Sequence, residues 1–160
     1  RGSALVTRET PLSKDGIKLA ELRVGDTFGE EALISDAKRN ATVTMLTDGG
    51  VMRLGKDDFK KLLNEPMLDW VDFDEAQQII QGGGQWLDVR LPSEFENQHL
   101  DSAINIPLYF IRLKLNTLDQ SKKYIVCCDT GRRSSAGAYI LSERGFQAYV
   151  LRGGINKEQG

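Results

Sequence analysis

Residues 124–141 read YIVCCDTGRRSSAGAYIL, and this stretch decides the fold. Residues 124–128 form an apolar run rich in β-favouring side chains, which predicts a buried strand. A tight loop containing Gly131 follows, and a helix opens at Arg133 and Ser134. That helix is expected to run to Gly145, a good C′ residue. QAYVL at 147–151 then reads as another strand. Strand, helix and strand in this order make a βαβ unit with parallel strands and a right-handed crossover. Ligands of open α/β sheets bind beyond the carboxyl ends of the strands, and the Cys127–Cys128 pair stands there.

The loop is built for negative charge. A helix N-terminus presents unpaired N–H groups and partial positive charge, which favour a thiolate and attract an incoming anion. Successive N–H groups around Gly131 can form an anion nest, and Arg132 and Arg133 add permanent cations. The chemistry implied is attack by a cysteine thiolate on an oxyanion substrate. Counted from Cys128 the spacing is C-x4-R; counted from Cys127 it is C-x5-R-S, the form of the phosphotyrosine-phosphatase signature. A short loop suits a small sulfur donor and a longer one a phosphate ester, and the count alone leaves both open.

Working outward, the same alternation continues. FDEAQQII (73–80) is amphipathic, and Gly82–Gly84 end it. WLDV (86–89) is a short buried strand, PSEF (92–95) a helical turn with Ser93 as expected cap, SAINIP (102–107) extended and LYFIRLKL (108–115) helical. Asp88 and Arg90 are expected to form a polar network behind the loop. His99, the single histidine, is read as a structural hydrogen-bonding group in a turn rather than a catalytic base.

Lys plus Arg total 21 and Asp plus Glu 23, a net charge of −2, which argues against a general nucleic-acid binder. No apolar run is long enough to span a membrane, and residues 1–10 lack a signal-peptide core. Two adjacent cysteines make neither a disulfide scaffold nor easy disulfide geometry. A reducing, cytoplasmic setting is therefore expected. No metal site is suggested.

WLDVRLPSEFENQHLDSAINIP (86–107) and CDTGRRSSAGAYILSERGFQAYVLRGGI (128–155) together resemble the rhodanese family over residues 69–157. In that register Cys128 is the nucleophile, Cys127 ends the strand, and the loop has the short form associated with sulfur transfer. The resemblance implies catalytic Cys128 and Arg133, with Asp129, Thr130, Gly131, Arg132 and Ser134 binding substrate. It implies a small-molecule sulfur donor such as thiosulfate, a Cys128 persulfide, and a cyanide or thiol acceptor, with no required cofactor. A non-enzymatic sulfur carrier is the alternative.

Before Pro66 the pattern is strands and turns. ALVTR (4–8) and IKLAELR (17–23) are expected strands around a PLSKDG loop, and ATVTML (41–46) and VMRL (51–54) a hairpin joined by TDGG. KDDFKKLLNEP (56–66) reads as a helix capped by Asp57 or Asp58. Between them, Gly29, the Glu30–Glu31 turn and Arg39 make a phosphate cradle in principle.

The segment FGE-x-AL-x5-R-x-AT (28–42) resembles the phosphate-binding cassette of cyclic nucleotide-binding domains. The resemblance implies nucleotide binding through Gly29, Glu30, Arg39, Ala41 and Thr42, with Glu30 on the ribose hydroxyl and Arg39 on the cyclic phosphate. Asn40 leaves cAMP and cGMP both open. The roll lacks its early strands, so a chain cut from a longer protein is expected. Its exposed edges suit pairing with a second chain, and nucleotide binding is an expectation for the intact protein. The reading is thus a partial, mainly β cyclic nucleotide-binding-like roll over 1–66, which is a sensor in the alternative view, and an α/β rhodanese-like domain with a central parallel sheet over 67–160.

Overall fold

The computed structural model describes residues 1–11, 13–34, 38–39, 41–61 and 68–156. Five strands form a parallel sheet: β4 (Asp69–Val71), β5 (Gln85–Asp88), β6 (Ile104–Asn105), β7 (Lys123–Cys127) and β8 (Gln147–Leu151), in the order β4-β8-β7-β5-β6. The central place of β7 explains its continuous apolar sequence, because both faces of the strand are covered. Successive side chains on a strand point to opposite faces. Tyr124, Val126 and Cys128 therefore join one buried cluster, and Ile125 and Cys127 the other.

Helix α3 (Phe73–Gln81) covers the Cys127 face, where Ala76, Trp86 and Leu151 are buried. The Asp72 N–H donates to Glu75 at its start. Helix α6 (Arg132–Glu143) covers the Cys128 face. A methyl group on Gly137 would lie 3.1 Å from Val126 and Val89, so the bare backbone lets α6 approach the sheet closely. The helix ends in a Schellman arrangement at Gly145: Phe146 N–H donates to Leu141 O and Gly145 N–H to Ser142 O.

Between these lie α4 (Pro92–Asn97) and α5 (Ile111–Lys114). The expected helix over 108–115 is broken: α5 is flanked by 3₁₀ turns at Leu108–Phe110 and Leu115–Thr117. Ser93 does not cap α4. Leu91 holds that position, Pro92 starts the helix, and the Glu94 carboxylate accepts the Leu91 N–H.

The N-terminal residues form a separate antiparallel sheet of β1 (Ala4–Thr10), β2 (Ser13–Leu22) and β3 (Thr42–Met45), in the order β2-β1-β3. The expected PLSKDG loop is mostly strand. The chain reverses sharply after Thr10, and β2 runs through Gly16, with register irregularities absorbing the misfit. VMRL forms no strand: Val51, Met52 and Leu54 are all exposed, so the segment has no buried face to hold it against the free edge of β3. Helix α2 (Lys56–Phe59) is capped by the Gly55 backbone, not by Asp57 or Asp58. The end of that expected helix, residues 62–66, lies outside the described residues, as does Asn40.

Helix α1 (Glu30–Ile34) packs on α6, and β2 against α5. Phe59 sets its ring edge-on to Tyr139, with centroids 5.4 Å apart. Thr27 donates to Glu143 at 2.9 Å, and Arg144 pairs with Asp26 at 3.1 Å. Arg112 of α5 binds Glu30 directly and approaches Glu31 at 3.4 Å. Among the described residues no helix is long and apolar enough to cross a membrane.

Candidate active site

Cys128 follows the last residue of β7, and its side chain is buried. Its carbonyl accepts the Ile155 N–H at 2.9 Å, which ties the strand end to the segment after β8. The loop then turns back over the sulfur. Gly131 N–H donates to Cys128 Sγ at 3.0 Å, Ser134 N–H at 3.4 Å, and the Ser134 hydroxyl lies 3.3 Å away. Gly131 is the N-cap of α6 with φ +95, a left-handed conformation that glycine adopts without penalty. The orphan N–H groups of the helix start thus converge on one sulfur atom. A negative charge placed there is solvated by fixed donors rather than by water.

Cys127 has the opposite surroundings. Its side chain is buried on the α3 face, and its thiol lies 3.7 Å from Leu87 O. Burial, reinforced by Asp88 and Cys128, pushes its ionisation far above the usual thiol range. Only one of the two neighbouring cysteines meets the loop, and the alternation of the strand decides which.

The two arginines of the loop part ways. Arg133 donates to both carboxylate oxygens of Glu94, at 2.7 and 2.8 Å, and pairs with Asp129 at 3.1 Å. The Arg133 guanidinium holds the Glu94 carboxyl well below the usual range, at about 2. Arg133 therefore braces the loop against α4. Arg132 makes no ion pair among the described residues and lines a cavity above the loop, together with Asp129, Thr130 and Arg133. Asp129 also accepts the Thr130 N–H at 2.9 Å, which shapes the turn.

Sequence reasoning passed over three contributors. Glu94 stood in a quoted motif but carried no assigned partner. Gly154, at φ +71, lies directly under the Asp129 carbonyl, where any side chain would collide with the loop backbone. Ile155 anchors the Cys128 carbonyl. The Gly153–Gly154 pair was the available signal for a close backbone approach.

Asp88 and Arg90 form the buried network behind the loop. Arg90 donates to both Asp88 oxygens at 2.7–3.1 Å and to Gln98 O at 2.6 Å, while Asn105 donates to the Asp88 and Arg90 carbonyls. His99 binds Phe95 O through Nδ1 at 2.8 Å and stacks on the Phe95 ring. Among the described residues no group of His, Cys, Asp and Glu is arranged to hold a metal ion.

In the N-terminal cassette, the Arg39 guanidinium occupies the space that a side chain on Gly29 would need. Ala41 and Thr42 lie exposed at the start of β3. The Glu30 carboxylate is turned into the contact with α5, where it pairs with Arg112 and is almost completely buried. The structure brings Gly29 and Arg39 together and gives Glu30 a protein partner.

A parallel α/β sheet with a buried cysteine at the tip of its central strand, under a helix start whose N–H groups meet the sulfur, has the architecture of a sulfur-transfer domain. Residues 72–159 match the Rhodanese-like domain, and the chain belongs to that family. Residues 2–65 match the Cyclic nucleotide-binding domain. Thiosulfate sulfurtransferase PspE of Escherichia coli is 36% identical over 72 residues, covering 44% of this chain and 69% of its own length. The cAMP-dependent protein kinase regulatory subunit of Yarrowia lipolytica is 47% identical over 68 residues, covering 42% of this chain and 17% of its own. The crystal structure of a rhodanese-related protein from Thermoplasma volcanium superposes with a TM-score of 0.53 at 33% identity, covering 57% of this chain and 93% of that one. The chain thus spans a small part of the kinase subunit and most of the two small rhodanese-type proteins. Sulfur transfer is the chemistry to which the family and its named sulfurtransferase point.

Proposed function

We propose that the chain is a sulfurtransferase that carries a sulfane sulfur on Cys128, with thiosulfate as one donor and cyanide or a thiol as acceptor. The observation that carries this reading is the convergence of the Gly131 and Ser134 N–H groups and the Ser134 hydroxyl on Cys128 Sγ. The Cys128 thiolate attacks the outer sulfur of thiosulfate. The S–S bond breaks, sulfite leaves with its electron pair, and a Cys128 perthiolate remains. Cyanide then removes the terminal sulfur as thiocyanate, or a thiolate removes it as a persulfide, and Cys128 is restored. The helix-start donors stabilise the anionic sulfur in both states. Arg133 positions the loop through Glu94 and Asp129, and Arg132 attracts anions at the rim. The six-residue loop from Cys128 to Arg133 closes on the sulfur itself, which supports this chemistry over phosphate-ester hydrolysis. The two unpaired thiols suit a reducing compartment.

Mass spectrometry after thiosulfate treatment tests the reading. A gain of one sulfur atom on the 127–132 peptide, removed by cyanide, supports the enzyme. The same gain without turnover makes the domain a sulfur carrier, and no gain overturns the proposal.

A regulatory role for cyclic nucleotide in the intact protein rests on one further contact. Glu30, the expected ribose ligand, is held by Arg112 of the α/β unit. Nucleotide binding and docking of the two units then compete for one carboxylate. Sulfurtransferase kinetics with and without cAMP or cGMP test this, and identical kinetics refute it.

A further inference from the structure

The cavity above the Cys128 loop has a volume of about 660 Å3. Cavities of roughly 300–1,000 Å3 hold drug-sized ligands, and thiosulfate, with five atoms, fills a small fraction of one. Its walls come from both units: Leu108, Tyr109 and Arg132 from the α/β part, and Arg8, Glu31 and Lys38 from the N-terminal part. Arg8 lies over the Tyr109 ring, 4.9 Å from its centroid, so a strand of the first sheet reaches the mouth of the sulfur site.

The charges of this cavity do not cancel. Arg133 and Asp129 are paired with each other, and Glu94 is paired with Arg133. Glu31 is approached by Arg112 at 3.4 Å and faces Arg8. Arg132 and Lys38 enter no ion pair among the described residues. Three cations, Arg8, Lys38 and Arg132, thus surround a space that has an aromatic and aliphatic wall at Tyr109 and Leu108 and the sulfur loop as its floor.

We propose that Arg8 and Lys38 of the N-terminal unit complete, with Arg132, a subsite for the carboxylates of a peptide-sized organic persulfide. This rests on the sulfurtransferase reading of Cys128 and names its larger substrate. The step balances without a further reagent. The Cys128 thiolate attacks the terminal sulfur of R–S–S⁻, the S–S bond breaks, and R–S⁻ leaves as a thiolate while Cys128 keeps the sulfur. The cations hold the R group, and its leaving thiolate departs past Arg132. Arg8 and Lys38 are positioning residues, and they act on substrates that carry anionic groups remote from the sulfur.

The test compares two probes on the whole chain: glutathione persulfide, a tripeptide with two carboxylates, and the persulfide of 2-mercaptoethanol, which has none. The Arg8→Ala, Lys38→Ala double variant is expected to raise KM for the tripeptide about tenfold with kcat held within twofold. That rise should exceed the rise for the carboxylate-free probe at least fivefold. Arg8→Lys should restore most of the tripeptide KM, and Lys38→Glu alone should raise it further than Lys38→Ala. Lys38, exposed on the surface, keeps the test usable if the Arg8 change disturbs the fold. Equal effects on the two probes, or none, overturn this proposal while leaving sulfur transfer in place. Absence of sulfur on Cys128 from every donor, thiosulfate included, overturns the sulfurtransferase reading and this subsite with it.

Discussion

Arg133 grips both oxygens of Glu94, 39 residues earlier in the chain, at 2.7 and 2.8 Å. This fork joins the start of α6 to the first turn of α4 and fixes the loop between them. Glu94→Gln removes one charge from the fork. Sulfur loading of Cys128 is expected to slow about tenfold, as for a misplaced supporting group, measured by stopped-flow with thiosulfate. The carboxyl is held at about 2 by Arg133. A depressed carboxylate contributes stability above its unfolded value near 4.5, and that contribution is lost as pH falls toward 2. Urea midpoints of wild type and Glu94→Gln should therefore converge between pH 4.5 and 2. A gap that persists at pH 2 would contradict the pairing.

The two cysteines should separate cleanly. Cys128→Ser is expected to abolish sulfur loading, whereas Cys127→Ser keeps most of it, because the Cys127 thiol stays protonated on the α3 face. Placing a hydroxyl there costs about 1–2 kcal/mol of stability at most, since Leu87 O can accept from it. Peptide mapping of the persulfide decides between them, and a label on the Cys127 sulfur alone would reverse the assignment.

Arg112 and Glu30 form the buried ion pair between the units, with side chains 15% and 3% exposed. Removing one partner leaves a buried charge unmatched, so Arg112→Ala should lower unfolding stability by about 3 kcal/mol. Replacing both groups, Arg112→Met with Glu30→Leu, should cost less than the single change. Chemical denaturation of the three variants checks the order. A harmless Arg112→Ala would mean that the contact is not formed in solution.

Glu31 behaves in the opposite sense from Glu94. Burial pushes its carboxyl up to about 7, against the opposing pull of Arg8. A raised carboxyl contributes stability that is fully present below about pH 4.5 and is lost as pH rises through 7. Glu31→Gln should remove that decline and leave the variant more stable than wild type at pH 8. Thermal melts from pH 4 to 8 would show it, and parallel curves would refute it.

The α/β fold was legible because its signals are local: the apolar run at 124–128, Gly131 and Gly145 mark one βαβ unit without outside help. The loop after β7 was legible for the same reason, and the alternation along the strand places Cys128, not Cys127, against it. Long-range pairings were not. Nothing local ties Glu94 to Arg133 or Glu30 to Arg112, since each pair meets only through the packing of distant elements. The N-terminal sheet was read least well. Strand existence there depends on pairing and burial rather than on local sequence, as Ser13–Gly16, a strand through a turn-like sequence, and the exposed VMRL show from opposite sides.

Cys128 stands at the tip of the middle strand of five and has no accessible surface at rest. On the proposed sulfurtransferase reading, a donor would reach the sulfur only by displacing the loop from Asp129 to Arg132. The same enclosure would shield the Cys128 thiol from peroxide, and so from irreversible oxidation.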